Sequence, residues 1–171
     1  AEAGWASISL PSEIGGGGMP IALSGGTLEI LSSANLAFGL APGLSAGAIS
    51  AINFHGSEEQ KEKFLPKLVS GEWTGTMNLS EPQSGSDLGT ITTKAEPQDD
   101  GTYKITGTKV WITFGEHDMT DNIIHLVLAK VPGSPDGTKG ISMFIVPKMM
   151  VNEDGSSGAV SYTHLTLPTN H

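Results

Sequence analysis

Leu68-Val69-Ser70-Gly71-Glu72-Trp73-Thr74-Gly75-Thr76-Met77-Asn78-Leu79 holds the change that decides the fold. Upstream of Gly71 the apolar residues recur at helical spacing, and from Trp73 onward the period is two. Working back, Ser57 to Val69 is the clearest helix. Ser57 followed three residues later by Gln60 fits a capping box, and Glu58 and Glu59 favour the positive dipole end. Phe64, Leu65, Leu68 and Val69 form its apolar stripe, and Gly71 suits a left-handed stop. Further back, Ile21, Leu23, Leu28, Ile30, Leu31, Leu36 and Phe38 are spaced mostly by two to five, and Gly43 to Phe54 is small and apolar.

Working forward, Thr74 to Leu79, Thr90 to Ala95, Tyr103 to Thr113, Ile123 to Lys130 and Ile141 to Pro147 are rich in β-branched residues. Turn chemistry separates them, as in Gln98-Asp99-Asp100-Gly101 and Pro132-Gly133-Ser134-Pro135-Asp136-Gly137. Strands at this spacing without intervening helices predict an antiparallel barrel or sandwich. The expected fold is α+β: an incomplete N-terminal helical domain over 1–71, then a middle β domain over 72–150. The stretch 151–171 is polar and turn-rich, and is expected to be a disordered or foreign tail.

At 171 residues the chain can hide roughly 70% of its unfolded surface, enough for a sizeable core. A net charge of −9 argues against a nucleic-acid groove, which needs a basic stripe. The absence of cysteine excludes disulfides and thiolate chemistry. The start, Ala1-Glu2-Ala3-Gly4-Trp5, lacks an initiator Met and a signal pattern, and no targeting segment is visible. We expect the chain to begin partway through a longer gene. No apolar run is expected to reach membrane-spanning length.

The segment Met77-Asn78-Leu79-Ser80-Glu81-Pro82-Gln83-Ser84-Gly85-Ser86-Asp87 ends a strand in a small polar loop. It leaves backbone N–H groups and three hydroxyls for an anionic or heteroaromatic ligand. On spacing alone the simpler reading is an ordinary strand connection, with Ser and Asp bonding their own backbone, since small polar loops are common. In Gly107-Thr108-Lys109-Val110-Trp111-Ile112-Thr113-Phe114-Gly115, alternation puts Lys109, Trp111 and Thr113 on one face. The indole could lie against a flat ring, or merely cover a barrel end.

Together, Ser-Glu-Pro-x-Ser-Gly-Ser-Asp and the later Gly-x-Lys-x-Trp-Ile-Thr resemble the paired signature of acyl-CoA dehydrogenases. Leu10-Pro11-Ser12-Glu13-Ile14-Gly15-Gly16 and Gly56-Ser57-Glu58-Glu59-Gln60-Lys61 resemble further family segments, so the likeness runs from about Gly4 to Lys148. It implies FAD as cofactor, held by Met77, Leu79, Ser80, Gly85, Ser86, Trp111, Ile112 and Thr113, with Ser86 also near the acyl-CoA substrate. Ser80 stands for a more usual Thr, Met77 for an aromatic residue, and Phe114 for a frequent Asn. The Gly115–Thr120 and Asn122–Ala129 stretches resemble the subgroup of 3-methylmercaptopropionyl-CoA dehydrogenases and relatives.

The resemblance implies oxidation of an acyl-CoA thioester to the 2,3-enoyl-CoA, with an electron-transferring flavoprotein as acceptor and a homo-oligomeric parent in bacterial cytoplasm or mitochondrial matrix. In the family a glutamate on a C-terminal helical bundle is the base. That bundle is expected to be absent here, so no catalytic residue is assigned and this piece alone is expected to be inactive. An acyl-CoA oxidase, or a non-catalytic module binding a nucleotide or a partner protein, are the alternatives. The five histidines show no metal-ligand spacing and are expected on the surface or in loops. Glu116-His117-Asp118 is expected to be a turn, and Gly15 to Gly18 a flexible linker.

Overall fold

Asn35 is where the helical region divides. The computed structural model describes residues 3–161, with helices α1 (Ile21–Ala34), α2 (Leu36–His55) and α3 (Glu58–Ser70). Asn35 is extended (φ −157°, ψ 99°), and its side chain accepts from the Phe38 N–H at 3.0 Å, satisfying a donor that the start of α2 leaves open. The Ser57 capping box forms as its spacing predicts. The Gln60 N–H donates to Ser57 Oγ at 3.2 Å and the Ser57 N–H to Gln60 Oε1 at 3.0 Å. Gly71 ends α3 in the left-handed region at φ 78°.

The strands are β1 (Trp73–Asn78), β2 (Lys94–Pro97), β3 (Tyr103–Thr106), β4 (Asn122–Lys130), β5 (Ile141–Pro147), β6 (Met149–Val151) and β7 (Ser157–Val160). The first five form one sheet in the order β1-β4-β2-β3, with β5 also paired to β4. The α+β class holds, and no helix follows Lys148 among the described residues. The wholly antiparallel barrel or sandwich is corrected. β1 and β4 are parallel, from Trp73 opposite Asn122 to Asn78 opposite Val127, and the sheet does not close. Parallel pairing requires a long crossover, and β2, β3 and their loops supply it between β1 and β4.

Other corrections are local. The Thr90–Ala95 run becomes a 3-10 turn at Leu88–Thr90, with β2 starting only at Lys94, and the Tyr103–Thr113 run stops pairing at Thr106. The opening of the 151–171 tail is not structureless, because β6 and β7 pair as a bulged hairpin. Lys67 Nζ donates to Gly155 O at 3.2 Å, tying that hairpin to α3. Residues 162–171 of the tail lie outside the described residues. The glycine run is no free linker either: the N–H groups of Gly16, Gly17 and Gly18 donate to the carbonyls of Pro11, Ser7 and Leu10. A Cβ at Gly16 would sit 2.3 Å from Leu10 O, so this fold-back needs glycine.

The core lies between α2, α3 and one sheet face, where Ala48, Ile49, Ile52, Phe64, Leu68, Trp73, Ile124 and Leu126 pack together. Trp73 meets Phe64 at a ring separation of 6.5 Å, with Lys67 Nζ 4.8 Å from its ring centre. A Cβ on Gly75 would come within 2.4 Å of Ala48 Cβ, so glycine sets how near α2 approaches β1. Contrary to expectation, α2 is long and apolar enough, by length and composition, to cross a membrane. One stripe of it, including Ala48, Ile49 and Ile52, is buried in this core.

Candidate functional site

With Trp73, Gly75 and Met77 turned to the helices, alternation sends Thr74, Thr76 and Asn78 to the opposite face. There Thr76 Oγ1 donates to Thr113 O at 2.7 Å. At the other end of the same stretch, the Val110 N–H donates to Ser80 O at 3.0 Å and Lys109 Nζ to Leu79 O at 3.1 Å. Residues 76–80 and 109–113 therefore run side by side in opposite directions. The structure brings the two nominated segments into one seam.

The second segment is not a strand, because Trp111 and Phe114 take left-handed φ values of 61° and 53°, which are uncommon outside glycine. The turn throws the Trp111 indole outward, 68% exposed, and leaves Thr113 exposed beside buried Ile112. Lys109 does not share their open face, since its side chain is only 7% exposed. The expected alternation thus holds for Trp111, Ile112 and Thr113 and fails at Lys109.

In the first segment Ser80 and Leu79 are half-buried, and Gly85 and Ser86 are exposed. Among the described residues no protein hydrogen bond engages the hydroxyls of Ser80, Ser86 or Thr113. Ser84 departs from the expected trio of available hydroxyls. It is buried and donates to Asp87 O at 2.7 Å, while the Asp87 carboxylate accepts from the Gly89 N–H at 3.0 Å. Both readings of the loop are therefore present: Ser84 and Asp87 shape the turn, and Ser80 and Ser86 keep free donors. Met77 turns away from this group and packs against the core.

Sequence reasoning passed over Glu81 and Lys109 as working residues. Oε1 of Glu81 accepts from Lys109 Nζ (2.9 Å), Thr93 N–H (3.1 Å) and Thr93 Oγ1 (2.5 Å). Its Oε2 accepts from Thr92 N–H (2.7 Å), Thr92 Oγ1 (2.9 Å) and Gln83 Nε2 (2.6 Å). Burial would raise the Glu81 pKa, but the Thr92 N–H, the Thr93 hydroxyl, the Lys109 ammonium and the Thr93 N–H outweigh it and hold it far below the usual carboxylate range. Burial pulls the Lys109 pKa down, and its bond to Glu81 opposes that. The signal for this pair was a Lys in an otherwise small, apolar alternation, but its partner is 28 residues away and needs the register.

The histidines divide. His117 lies between bends at Glu116 and Asp118, in a loop rather than a regular turn, with Nε2 at 3.0 Å from Thr74 Oγ1, and Glu116 pairs with Lys148. Burial, then nearby Lys148, lowers the His117 pKa against the opposing pull of Glu116 and Asp118. His125 corrects the surface expectation: it is buried on β4, with Nδ1 at 3.1 Å from Asn78 Oδ1, and burial lowers its pKa to about 4. No group of His, Asp or Glu among the described residues is arranged to hold a metal.

A cleft of about 930 Å³ opens beside the seam, with Phe64, Asn78, Thr93, Lys109, His125 and Phe144 among its walls. None of the eight nominated residues lines it. Of the seam, Asn78 and Lys109 border this cleft, whereas Trp111 and Thr113 are exposed outside it.

Family profiles described as acyl-CoA dehydrogenase, N-terminal domain, and acyl-CoA dehydrogenase, middle domain, match residues 1–72 and 76–163. The 3-methylmercaptopropionyl-CoA dehydrogenase of Ruegeria pomeroyi is 51% identical over 167 residues, covering 94% of this chain and 28% of that protein. A butyryl-CoA dehydrogenase of Syntrophomonas wolfei is 51% identical over 144 residues, 84% of this chain and 24% of that one. The crystal structure of an acyl-CoA dehydrogenase complexed with FAD from Bacillus anthracis superposes with a TM-score of 0.72 at 35% identity, covering 86% of this chain and 24% of that one. The chain thus spans between about a quarter and a third of the length of the curated relatives it matches.

Proposed function

Because the chain belongs to the acyl-CoA dehydrogenase family, we propose that it is a piece of an FAD-dependent enzyme that oxidises an acyl-CoA thioester to the 2,3-enoyl-CoA. The observation that carries this reading is the seam. It gathers two free hydroxyls, Ser80 and Thr113, and an exposed indole, Trp111, along one edge. That donor set fits a planar heterocycle, which needs an aromatic wall and hydrogen-bond partners at its rim. Open Gly85, beside which a Cβ would meet nothing within 4 Å, and exposed Ser86 leave room for a bulky ligand next to it.

On this reading Leu79, Ser80, Gly85, Ser86, Trp111, Ile112 and Thr113 hold FAD, and Ser86 also borders the acyl-CoA. Met77 contributes through its backbone, because its side chain belongs to the core. FAD, when bound, supplies the hydride acceptor. The chain's own part is orientation: a left-handed Trp111 and a hydrogen-bonded seam hold the ring's surroundings at fixed spacing. Residues 1–71 form the end of a helical domain and 72–150 the middle β domain. The base lies in sequence beyond this piece, and the parent is a homo-oligomer of the bacterial cytoplasm or mitochondrial matrix that passes electrons to an electron-transferring flavoprotein.

Two relatives with different substrates match at the same 51% identity, so the acyl group is not chosen by likeness. The test uses the full-length protein loaded with FAD and mixed anaerobically with butyryl-CoA or 3-methylmercaptopropionyl-CoA. Bleaching of the flavin band with formation of the enoyl product is expected from one of them. A flavin that stays oxidised with every acyl-CoA would overturn the reading. The 171-residue chain alone, given FAD and the same thioester, is expected to leave the flavin oxidised.

A further inference from the structure

Three segments converge on the Glu81 carboxylate: 79–81, Thr92–Thr93 and 107–110. The third is drawn in so closely that a Cβ on Gly107 would lie 2.2 Å from Thr93 Oγ1. Lys109 uses one ammonium to bridge Leu79 O, the residue before Ser80, and Glu81 Oε1, the residue after it. Both side chains are nearly sealed, with Glu81 at 1% and Lys109 at 7% exposure. Glu81 is sealed and Lys109 shows only a sliver of its side chain, toward the cleft, so neither forms part of the exposed Trp111 surface. What they can set is where Ser80 sits relative to Trp111, two residues beyond Lys109.

We propose that the buried Glu81–Lys109 pair is the positioning device of the flavin site, fixing the spacing between the Ser80 loop and the Trp111–Thr113 turn. This rests on the flavin reading above. A buried ion pair is a poor source of net stability, since desolvation offsets most of its attraction. It is, however, exacting about geometry: a small slip between the segments would leave a buried charge short of its partners, which an apolar contact would tolerate. The pair also carries no net charge. The seam is thereby held by strong bonds without placing an uncompensated charge beside the ligand, where the electrostatic consequence would be large.

That second property separates positioning from mere structure. Lys109→Met leaves Glu81 its five other donors, so the carboxylate stays ionised and its charge is uncompensated. Reduction adds negative charge to a flavin, so the midpoint potential of the full-length holoprotein is expected to fall in this variant. Glu81→Gln leaves the Lys109 charge unbalanced and is expected to raise it. FAD binding in Lys109→Met is expected to weaken about tenfold or more, with an altered visible circular dichroism of the flavin, and Lys109→Arg is expected to recover most of both. Simple loosening would move both potentials in the same direction.

If Glu81→Gln does not fold, the comparison of Lys109→Met with Lys109→Arg decides the matter by the same potential and dissociation constant. Unchanged FAD affinity and potential in Lys109→Met would overturn the proposal while leaving the flavin reading intact. A wild-type full-length protein that binds no FAD would overturn both.

Discussion

Helix α1 and strand β4 are both apolar runs, and they end in opposite circumstances. α1 has no fully buried residue, and its Ile21 and Ile30 are 77% and 71% exposed. In β4, by contrast, Asn122 to Val127 are all buried. The helix satisfies its backbone within itself, so contact along one side, with α2 and the Trp5–Ser7 turn, is enough to hold it. The strand cannot, and exists because β1, β5 and the helices meet it from both edges and one face. Apolar composition therefore marks two different things here: a face not covered by any described residue, and a completed core.

The sharpest way to break that comparison is at the junction of the two regions. Trp73→Ala removes the indole from between Phe64 and Lys67 and is expected to cost about 3–5 kcal/mol in urea unfolding. A loss below about 1 kcal/mol would mean that sheet and helices do not share one core.

Acid should next distinguish the regions. His125 has its pKa lowered to about 4 by burial, with Lys148 and His117 adding and Glu116 opposing, whereas the unfolded value is near 6.5. As pH falls from about 6.5 to 4 the unfolded chain gains a proton that the folded chain refuses, so stability falls through that window. At roughly 1.4 kcal/mol per pH unit, the loss is on the order of 3 kcal/mol. Urea midpoints at pH 7 and pH 4.5 should differ by less in His125→Gln than in the parent, and hydrogen exchange in β4 should rise before that in α1. An identical pH response in both proteins would remove His125 from the account.

The smallest effect is expected in α1. Ile30→Ser should change stability by less than about 0.5 kcal/mol, because little is buried there to lose. A larger cost would show that the exposed face of α1 has a packing partner in solution, such as a second copy of the chain.

Legibility followed the range of the interaction. The Ser57–Gln60 box and the Gly71 stop were readable because both act within four residues. β5 and most of β4 were readable from β-branched runs whose bounds coincide with paired residues. The segment 107–113 misled because its alternation is real in composition, yet Trp111 turns left-handed to follow the Ser80 loop, a demand made by residues some 30 positions earlier. His125 misled for the same reason: a histidine inside an apolar strand looks tolerable at a surface until Asn78 is seen beside it.

The residue order alone determined that this chain would be a helical stretch followed by strands, and carried two motifs of one recognisable family. Periodicity, capping and turn chemistry act between near neighbours and can be read without a partner. Only the tertiary structure decided that β1 and β4 run parallel, that Ser80 and Trp111 share a seam, and that Glu81 and Lys109 are buried together. Each of those depends on which distant segments lie side by side, a choice made by the summed packing and hydrogen bonding of the whole molecule rather than by any local stretch.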